Sequence, residues 1–145
     1  MAGKATRRKD AVPLGRVLIV EDDALVAMDM AEALAEAGAR KVGICASISA
    51  AMGELERIRP DVLILDVHLA DRDDGWTLAE LVVQLNPVAP LIVFSTGAPD
   101  SIPSEIAELG HVLVKPFPSS ELVRLVRGNL PKPGLLARLR SALPH

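Results

Sequence analysis

The sequence predicts an α/β fold in which a doubly wound parallel sheet carries helices on both faces. Aliphatic runs without polar alternation are typical of parallel strands that are buried on both faces. Four such runs are present: Val17–Val20, Val62–Leu65, Leu91–Phe94 and Val112–Val114. Helical periodicity between them indicates β–α–β units. Because each run ends at a reactive polar residue, and sites in such sheets lie outside the carboxyl ends of the strands, we expect these side chains to meet in one crevice.

The first helix is predicted between the first two strands. Asp23 opens it as an N-cap, and Gly38 stands at its C-cap position. Its apolar face comprises Val26, Met30, Ala33, Leu34 and Ala37. A second strand is predicted over Lys41–Ala46. The helix that follows this strand is expected to end at Pro60, because proline cannot continue a helix.

Three further helices are predicted, which gives five strands and five helices in all. The third helix ends at Asn86-Pro87. The fourth is expected to be short or irregular, over Ser104–Leu109, because Pro99 and Pro103 prevent an earlier start. The apolar faces of the third and last helices comprise Leu78, Leu81, Val82 and Leu85, and Leu122, Leu125, Val126 and Leu130, respectively.

The chain is expected to consist of one domain with two short flanking segments. Residues 1–14 form a polar, basic lead-in that is expected to be disordered, and residues 15–130 form the domain. Residues 131–145 form a short amphipathic tail whose apolar face comprises Leu135, Leu136, Leu139 and Leu143. No stretch approaches roughly 18 apolar residues, and the amino terminus lacks the apolar region of a secretory signal. We therefore expect a cytoplasmic protein without membrane insertion.

Composition argues against several classes of function. The single Cys45 excludes an internal disulfide and a cysteine-based metal cluster, and a buried thiol is expected there. The formal net charge is −3, and no basic patch is interleaved with aromatic residues. Direct DNA binding is therefore not expected. Neither a Gly-x-Gly-x-x-Gly nor a Walker A sequence is present, which argues against the usual nucleotide sites.

Acidic residues at the ends of adjacent strands predict a cation site. Glu21 and Asp22 follow the first strand, and Asp66 follows the third. Close like charges are unfavourable unless a cation intervenes, and oxygen ligands without paired His or Cys favour Mg²⁺. Asp66 could then act as a nucleophile that forms an acyl phosphate. Lys115 would supply a positive charge to the phosphoryl oxygens, and a hydroxyl on strand four would donate a hydrogen bond.

Simpler structural interpretations apply to the same kinds of residue. An acid after a strand is often a helix N-cap, which is how we interpret Asp23. A lysine after a strand is usually solvated, and a Ser-Thr pair usually caps a turn. His68 has no second histidine at ligand spacing, so its ring is not expected to bind a metal. A further acidic loop is interpreted as solvated, although it could border the metal, and its acids are Asp71, Asp73 and Asp74.

Taken in order, these residues resemble the receiver domain of two-component response regulators over about Arg16 to Leu130. The resemblance rests on an acidic pair, an Asp, a Ser/Thr-Gly and a Lys-Pro-Phe, each at a strand end with a helix between them. It implies a flavodoxin-like five-stranded sheet. It also implies that Glu21, Asp22 and Asp66 bind Mg²⁺, that Asp66 is the phosphoacceptor, and that the backbone carbonyl of His68 completes the metal site.

The resemblance extends to the later strand ends. Lys115 matches the family's lysine, and Lys115-Pro116 matches its cis peptide bond. Phe94-Ser95-Thr96-Gly97 resembles a branch with Phe-Ala-Thr-Gly, which makes Thr96 the switch hydroxyl and leaves Ser95 as the alternative. Two features depart from the family pattern. The loop over 69–75 is one residue longer than usual, and Val112 stands where many receivers carry a rotating aromatic residue.

The resemblance implies a phosphoacceptor that is switched by a sensor histidine kinase or a phosphotransfer protein. Such a protein phosphorylates and dephosphorylates itself and is not a turnover enzyme. Because little sequence follows Leu130, a stand-alone receiver is expected, with contact to a downstream protein target as its output. The expected contact surface comprises the last helix, the short fourth helix and the tail, and it could also form a homodimer.

Two alternatives remain open at this point. The first is a binding module of the same fold that is never phosphorylated. The second is a Mg²⁺-dependent aspartyl phosphohydrolase of the haloacid dehalogenase type. That family uses a second Asp as a general acid two residues after the nucleophile, whereas Asp66-Val67-His68 offers only a histidine there.

Overall fold

The computed structural model describes residues 13–69 and 75–130. Its strands are β1 (Gly15–Val20), β2 (Ala39–Cys45), β3 (Val62–Asp66), β4 (Leu91–Thr96) and β5 (His111–Val114). Its α-helices are α1 (Ala24–Glu36), α2 (Ile48–Ile58), α3 (Trp76–Leu85), α4 (Ser104–Ala107) and α5 (Ser119–Asn129). The predictions for residues 1–12, the acidic loop with Asp71, Asp73 and Asp74, and the tail 131–145 lie outside the described residues.

The five strands form one sheet in the order β2-β1-β3-β4-β5, and every neighbouring pair is parallel. The predicted α/β fold is therefore confirmed. The direction of the strand order changes between β1 and β3, and ligands in open α/β sheets bind beside such a change, outside the carboxyl ends of the strands. This topology places the residues that follow β1 and β3 next to each other.

Hydrophobic side chains cover both faces of the sheet, as the continuous apolar runs predict. Leu18, Leu63 and Phe94 point to one face, where they pack with residues from α2, α3 and α4. Ile19 and Ile64 point to the other face, where they pack with residues from α1 and α5. All five residues of β3 are buried. Each fully buried large apolar side chain contributes about 1.5–3 kcal/mol to the stability of the fold. The central strands, which carry the site residues at their ends, are therefore held rigidly in place.

The helix ends follow from particular residues. Asp23 caps α1 by accepting hydrogen bonds from the backbone N–H groups of Leu25 and Val26, which confirms the predicted N-cap. After this helix the chain turns at Gly38, whose φ of +111° is readily adopted by glycine. Helix α2 ends just before Arg59, whose left-handed φ of 49° precedes Pro60.

Two segments differ in detail from the sequence prediction. The segment between β4 and β5 contains a 3₁₀ helix over Pro99–Ser101 that the sequence did not predict, and α4 ends at Ala107 rather than Leu109. Ile102 and Ile106 anchor this segment in the core. The sequence also places Leu14 in the lead-in, whereas its side chain is fully buried against the α1 and α5 side of the sheet. Within the described ranges, no helix is long and apolar enough to cross a membrane.

Candidate functional site

Three carboxylates meet at the carboxyl ends of β1 and β3. Glu21, Asp22 and Asp66 each place a carboxylate oxygen within 4.8 Å of the others. Glu21 and Asp66 are only 2% and 6% exposed, whereas Asp22 is exposed. The cluster forms because β1 and β3 are neighbouring parallel strands in which Val20 is level with Leu65. The two strands therefore end side by side. The acids that the sequence predicts for a cation site are therefore together.

Both oxygens of the Asp66 carboxylate are held by neighbouring groups. The backbone N–H of His68 donates to Oδ1 over 3.0 Å, and Lys115 Nζ donates to Oδ2 over 3.3 Å. Asp66 is also the last residue of β3, so its backbone is fixed by the sheet. The carboxylate thus has one orientation, which is what a nucleophile needs if it is to meet a phosphorus atom in line.

Lys115 joins the two buried acids. Its Nζ donates to Glu21 Oε1 over 2.6 Å as well as to Asp66, and its backbone N–H donates to the carbonyl of Thr96 over 2.8 Å. The Lys115-Pro116 peptide bond is cis. Only 28% of the lysine side chain is exposed, so the interpretation as a solvated lysine does not apply.

Burial and neighbouring charges shift the pKa values of Glu21 and Lys115. Burial raises the pKa of the Glu21 carboxyl, and the hydrogen bond from Lys115 opposes that rise. Burial by itself would lower the pKa of Lys115, but the hydrogen bond to Glu21 and the charge of Asp66 outweigh it and raise the pKa. Lys115 is therefore a permanent cation here. Three carboxylates as close as these favour a bound cation.

The donor set of the cluster suits a magnesium ion. Its side-chain donors are carboxylate oxygens, and Mg²⁺ prefers such hard oxygen ligands and keeps several waters. Asp23 stands next to the cluster, but its Oδ1 is occupied by capping α1 and its backbone N–H donates to Glu21 Oε2 over 3.2 Å. Asp23 therefore caps α1 and orients Glu21, and it is not one of the three clustered carboxylates.

Two hydroxyls end β4 beside this cluster. Ser95 is level with Asp66 in the pairing of β3 and β4, and its buried Oγ lacks a hydrogen-bond partner among the described residues. Thr96 is fully buried, and its Oγ1 accepts a hydrogen bond of 2.9 Å from the backbone N–H of Ala98. Either hydroxyl can still donate its own proton. The assignment of Thr96 rather than Ser95 as the switch hydroxyl stays a prediction.

The ring of His68 connects the site to the loop after β4. Its Nε2 lies 3.0 Å from Ser101 Oγ, and that hydroxyl donates to the carbonyl of Ala98 over 2.6 Å. Because Ser101 uses its proton on Ala98, the His68 ring must donate from Nε2. Sequence reasoning missed this contact, since His68 and Ser101 are 33 residues apart and neither belongs to a motif that pairs them.

Gly75 lies directly against the backbone of Asp66, and sequence reasoning did not identify this role. A Cβ at this position would lie 2.9 Å from the carbonyl oxygen of Asp66 and 3.2 Å from Val67 Cα. The backbone N–H of Gly75 donates to the carbonyl of Val67 over 3.2 Å. Only glycine permits this approach of α3 to the end of β3, and a glycine just before a predicted helix is the signal that could have indicated it.

Comparison with known proteins agrees with this arrangement. The family model described as the response regulator receiver domain matches residues 17–127. The transcriptional regulatory protein PdtaR of Mycobacterium tuberculosis is 35% identical over 125 residues, which cover 85% of this chain and 60% of PdtaR. This chain therefore spans about three fifths of the length of that relative.

Solved structures give the same result. A protein described as a response regulator from Chloroflexus aurantiacus is 36% identical with a TM-score of 0.66, and the match covers 78% of this chain and 94% of that one. A CheY-like receiver domain from Methylobacillus flagellatus is 23% identical with a TM-score of 0.69, covering 79% of this chain and 97% of that one. The second likeness concerns the fold alone.

Proposed function

Because this chain belongs to the response regulator receiver domain family, we propose that Asp66 accepts a phosphoryl group from a histidine kinase or phosphotransfer protein. The observation that carries this proposal is the environment of Asp66. It is a buried carboxylate at the end of the central strand, fixed by the His68 N–H and by Lys115, with Glu21 and Asp22 beside it. Glu21 shares Lys115 and the cluster, but of the three acids only Asp66 lies within a strand, where pairing of β3 with β1 and β4 fixes its backbone.

The chemical step needs little from the protein beyond position and charge. An Asp66 carboxylate oxygen forms a bond to phosphorus while the bond from phosphorus to the donor's imidazole nitrogen breaks, and the imidazole leaves with that electron pair. The product is an acyl phosphate on Asp66. Lys115 Nζ, already 3.3 Å from Oδ2, supplies the positive charge that the phosphoryl oxygens require.

A magnesium ion, as receiver domains bind, would be held by the carboxylates of Glu21, Asp22 and Asp66 and by the backbone carbonyl of His68. When bound, Mg²⁺ supplies the positive charge that lets an anionic phosphodonor approach the acidic cluster. Glu21 would act through water, because its two oxygens already accept hydrogen bonds from Lys115 and from the Asp23 N–H. Asp22 would meet the ion directly, and its exposure to solvent supports this role.

Intact-mass measurement tests the proposal. We expect incubation with Mg²⁺ and acetyl phosphate to add the mass of one phosphoryl group, and we expect a chelator to prevent the addition. Unchanged mass under both conditions would favour a receiver-like binding module that is never phosphorylated. Continuous release of phosphate from aryl phosphates would instead favour the aspartyl phosphohydrolase.

Replacing Asp22 with alanine should weaken magnesium binding without weakening the fold. We expect the affinity for Mg²⁺ to fall at least about tenfold, because the site loses a charged ligand. The free energy of unfolding without metal should stay equal or rise, because one of three neighbouring like charges is removed. Calorimetric titration and urea unfolding measure the two quantities, with the exposed Asp29→Ala of α1 as the matched control. Unchanged affinity in Asp22→Ala would remove Asp22 from the ligand set.

Phosphorylation would act on the segment from Thr96 to Gly110. A phosphoryl oxygen on Asp66 offers an acceptor for the Thr96 hydroxyl, and that hydroxyl already holds the Ala98 N–H. Ala98 is tied in turn to Ser101, and Ser101 to the His68 ring two residues after Asp66. Two chains of contacts therefore reach this loop from the neighbourhood of Asp66, one through Thr96 and one through the His68 ring. A change at Asp66 would shift the conformational equilibrium of the loop through both.

Hydrogen exchange should locate this switch. On adding Mg²⁺ and beryllofluoride, a phosphoryl mimic, we expect exchange rates to change about tenfold within Thr96–Gly110. Thr96→Val should abolish the change, whereas Ser95→Ala should keep it. The reverse pattern would make Ser95 the switch hydroxyl. Changes confined to α1 or α2 would contradict the mechanism.

The output of the switch is proposed to be contact with another protein. The relative PdtaR is described as a transcriptional regulatory protein. In this chain, however, the formal net charge is −3 and aromatic residues are few, which argues against a basic, aromatic-interleaved surface that binds nucleic acid. The exposed faces of α4, which lies within the switching segment Thr96–Gly110, and of α5 are the proposed contact surface. The protein would then be a cytoplasmic signalling protein that meets its kinase and its target in turn.

A further inference from the structure

A groove runs between α1 and α5 on the side of the sheet away from the switching segment. It is open to solvent, has a volume of about 820 Å³, and extends along α5 from Ser119 to Gly128. Its floor is formed by small side chains, among them Ala33, Ala37 and Val123, which are half-buried. Small residues between two helices leave room for larger apolar side chains of a third segment to enter.

The charges around the groove differ between its two walls. Helix α1 contains three exposed acids, Asp29, Glu32 and Glu36, and no lysine or arginine. On the other wall, Arg124 and Arg127 line the groove, and Arg127 donates from Nη2 to the carbonyl of Ala37 over 2.9 Å at the C-terminal end of α1. Among the described residues, none of these three acids forms an ion pair with an arginine of the other wall.

The tail of this chain combines an apolar face with basic residues, which suit the small apolar side chains of the groove and the acids of α1, respectively. Residues 131–145 contain Lys132, Arg138 and Arg140 and no acid. At 100° per residue, the tail leucines fall within one narrow face of a helix, and the two arginines flank that face on either side. The leucines are Leu135, Leu136, Leu139 and Leu143. A helix of this length is marginal alone and needs a surface to pack against.

The reach of the tail matches the groove. Leu130 follows α5 directly and is half-buried against the core, so the tail leaves the domain at the end of the groove where Gly128 lies. Pro131 to Gly134 is a four-residue connection, within the usual 2–8 residues between neighbouring helices. Residues 135–143 as a helix would span about 13 Å, against about 16 Å for the 11 residues of α5.

We propose that residues 135–143 dock in the groove between α1 and α5, antiparallel to α5. The leucine face covers Ala33, Ala37 and Val123, and at least one tail arginine pairs with Glu32 or Glu36. Docking within one chain is favoured over docking of a second copy because the short connection holds the tail at an effective concentration of order mM. This inference does not depend on the phosphorylation of Asp66.

Disulfide trapping in the full chain tests the proposal. In a Cys45→Ala background, Ser120→Cys at the far end of the groove is combined with Leu143→Cys in the tail. We expect a disulfide within one chain to form under mild oxidation. Adding Leu136→Asp and Leu139→Asp should slow its formation about tenfold or more, because two apolar contacts are lost while the connection is unchanged. The matched control adds Ala137→Asp and Ser141→Asp on the opposite face and should keep the rate.

The outcomes separate the possible occupants of the groove. A rate that is insensitive to the leucine substitutions would show an undocked tail and overturn the proposal. Disulfides that join two chains at low protein concentration would overturn it in favour of a second copy. As a separate measure, Glu36→Lys should also slow trapping by several-fold at low salt and not at high salt, since an exposed ion pair is screened. Equal slowing at both salt concentrations would contradict the ion pairing.

Discussion

Replacing Asp66 with asparagine should abolish phosphorylation of this protein. The amide is nearly the same size as the carboxylate but has no anionic oxygen to attack phosphorus. We expect intact mass after incubation with Mg²⁺ and acetyl phosphate to show no added phosphoryl group in this variant. The fold should be at least as stable as the wild type, because one of three clustered carboxylates is lost while Lys115 still pairs with Glu21.

The control for this variant is Asp100→Asn, which changes an exposed acid in the loop that follows β4. This variant should be phosphorylated like the wild type, since Asp100 is not part of the acidic cluster. Peptide mapping of the wild-type product should place the phosphoryl group on the peptide that contains Asp66. A phosphoryl group on any other residue, or undiminished labelling of Asp66→Asn, would show that Asp66 is not the acceptor.

Replacing Lys115 with methionine should give the largest loss of stability among the site variants. Methionine keeps most of the apolar stem and removes the ammonium, so Glu21 loses its closest partner while only 2% exposed. We expect the free energy of unfolding without metal to fall by about 2 kcal/mol. The loss should be smaller than for a fully buried pair, because 28% of the lysine side chain is exposed. Urea unfolding at neutral pH measures it.

A double-mutant cycle distinguishes the ion pair from general damage. If the pair is the cause, adding Glu21→Gln to Lys115→Met should restore part of the stability, because no unpaired charge is then buried. The exposed pair of Glu54 and Arg57 in α2 is the matched control, and its cycle should show no comparable coupling. A Lys115→Met protein with the same urea midpoint as the wild type would refute a stabilising role for this lysine.

The sheet and the main site residues could be predicted from the sequence because both depend on patterns within a few consecutive residues. Continuous apolar runs need two covered faces, and in a parallel sheet their carboxyl ends share one edge, so the residues after the runs had to meet. That reasoning placed Glu21, Asp22, Asp66 and Lys115 together, and the structure does so. The capping role of Asp23 was also predictable, because an N-cap bonds only to the residues just after it.

Other features depend on distances that no local pattern contains. The contact between His68 and Ser101 requires the loop after β3 and the loop after β4 to lie next to each other. The burial of Ile102 and Ile106 positions the second of these loops. Prolines indicated that this segment would be irregular. They did not predict its 3₁₀ turn, because that turn depends on how the segment packs against the hydrophobic core. The close approach of Gly75 to Asp66 is likewise a property of the packed chain.

For this protein, local sequence patterns were enough to predict the α/β class, the strands, most helix ends and the identities of the acids and the lysine at the site. These follow from burial, periodicity and capping, which act over a few residues. The folded structure was needed to show that Lys115 bridges Glu21 and Asp66, that Ser95 is level with Asp66, and that a groove opens between α1 and α5. Strand register and helix packing fix these relations, and both are set by contacts between residues far apart in the chain.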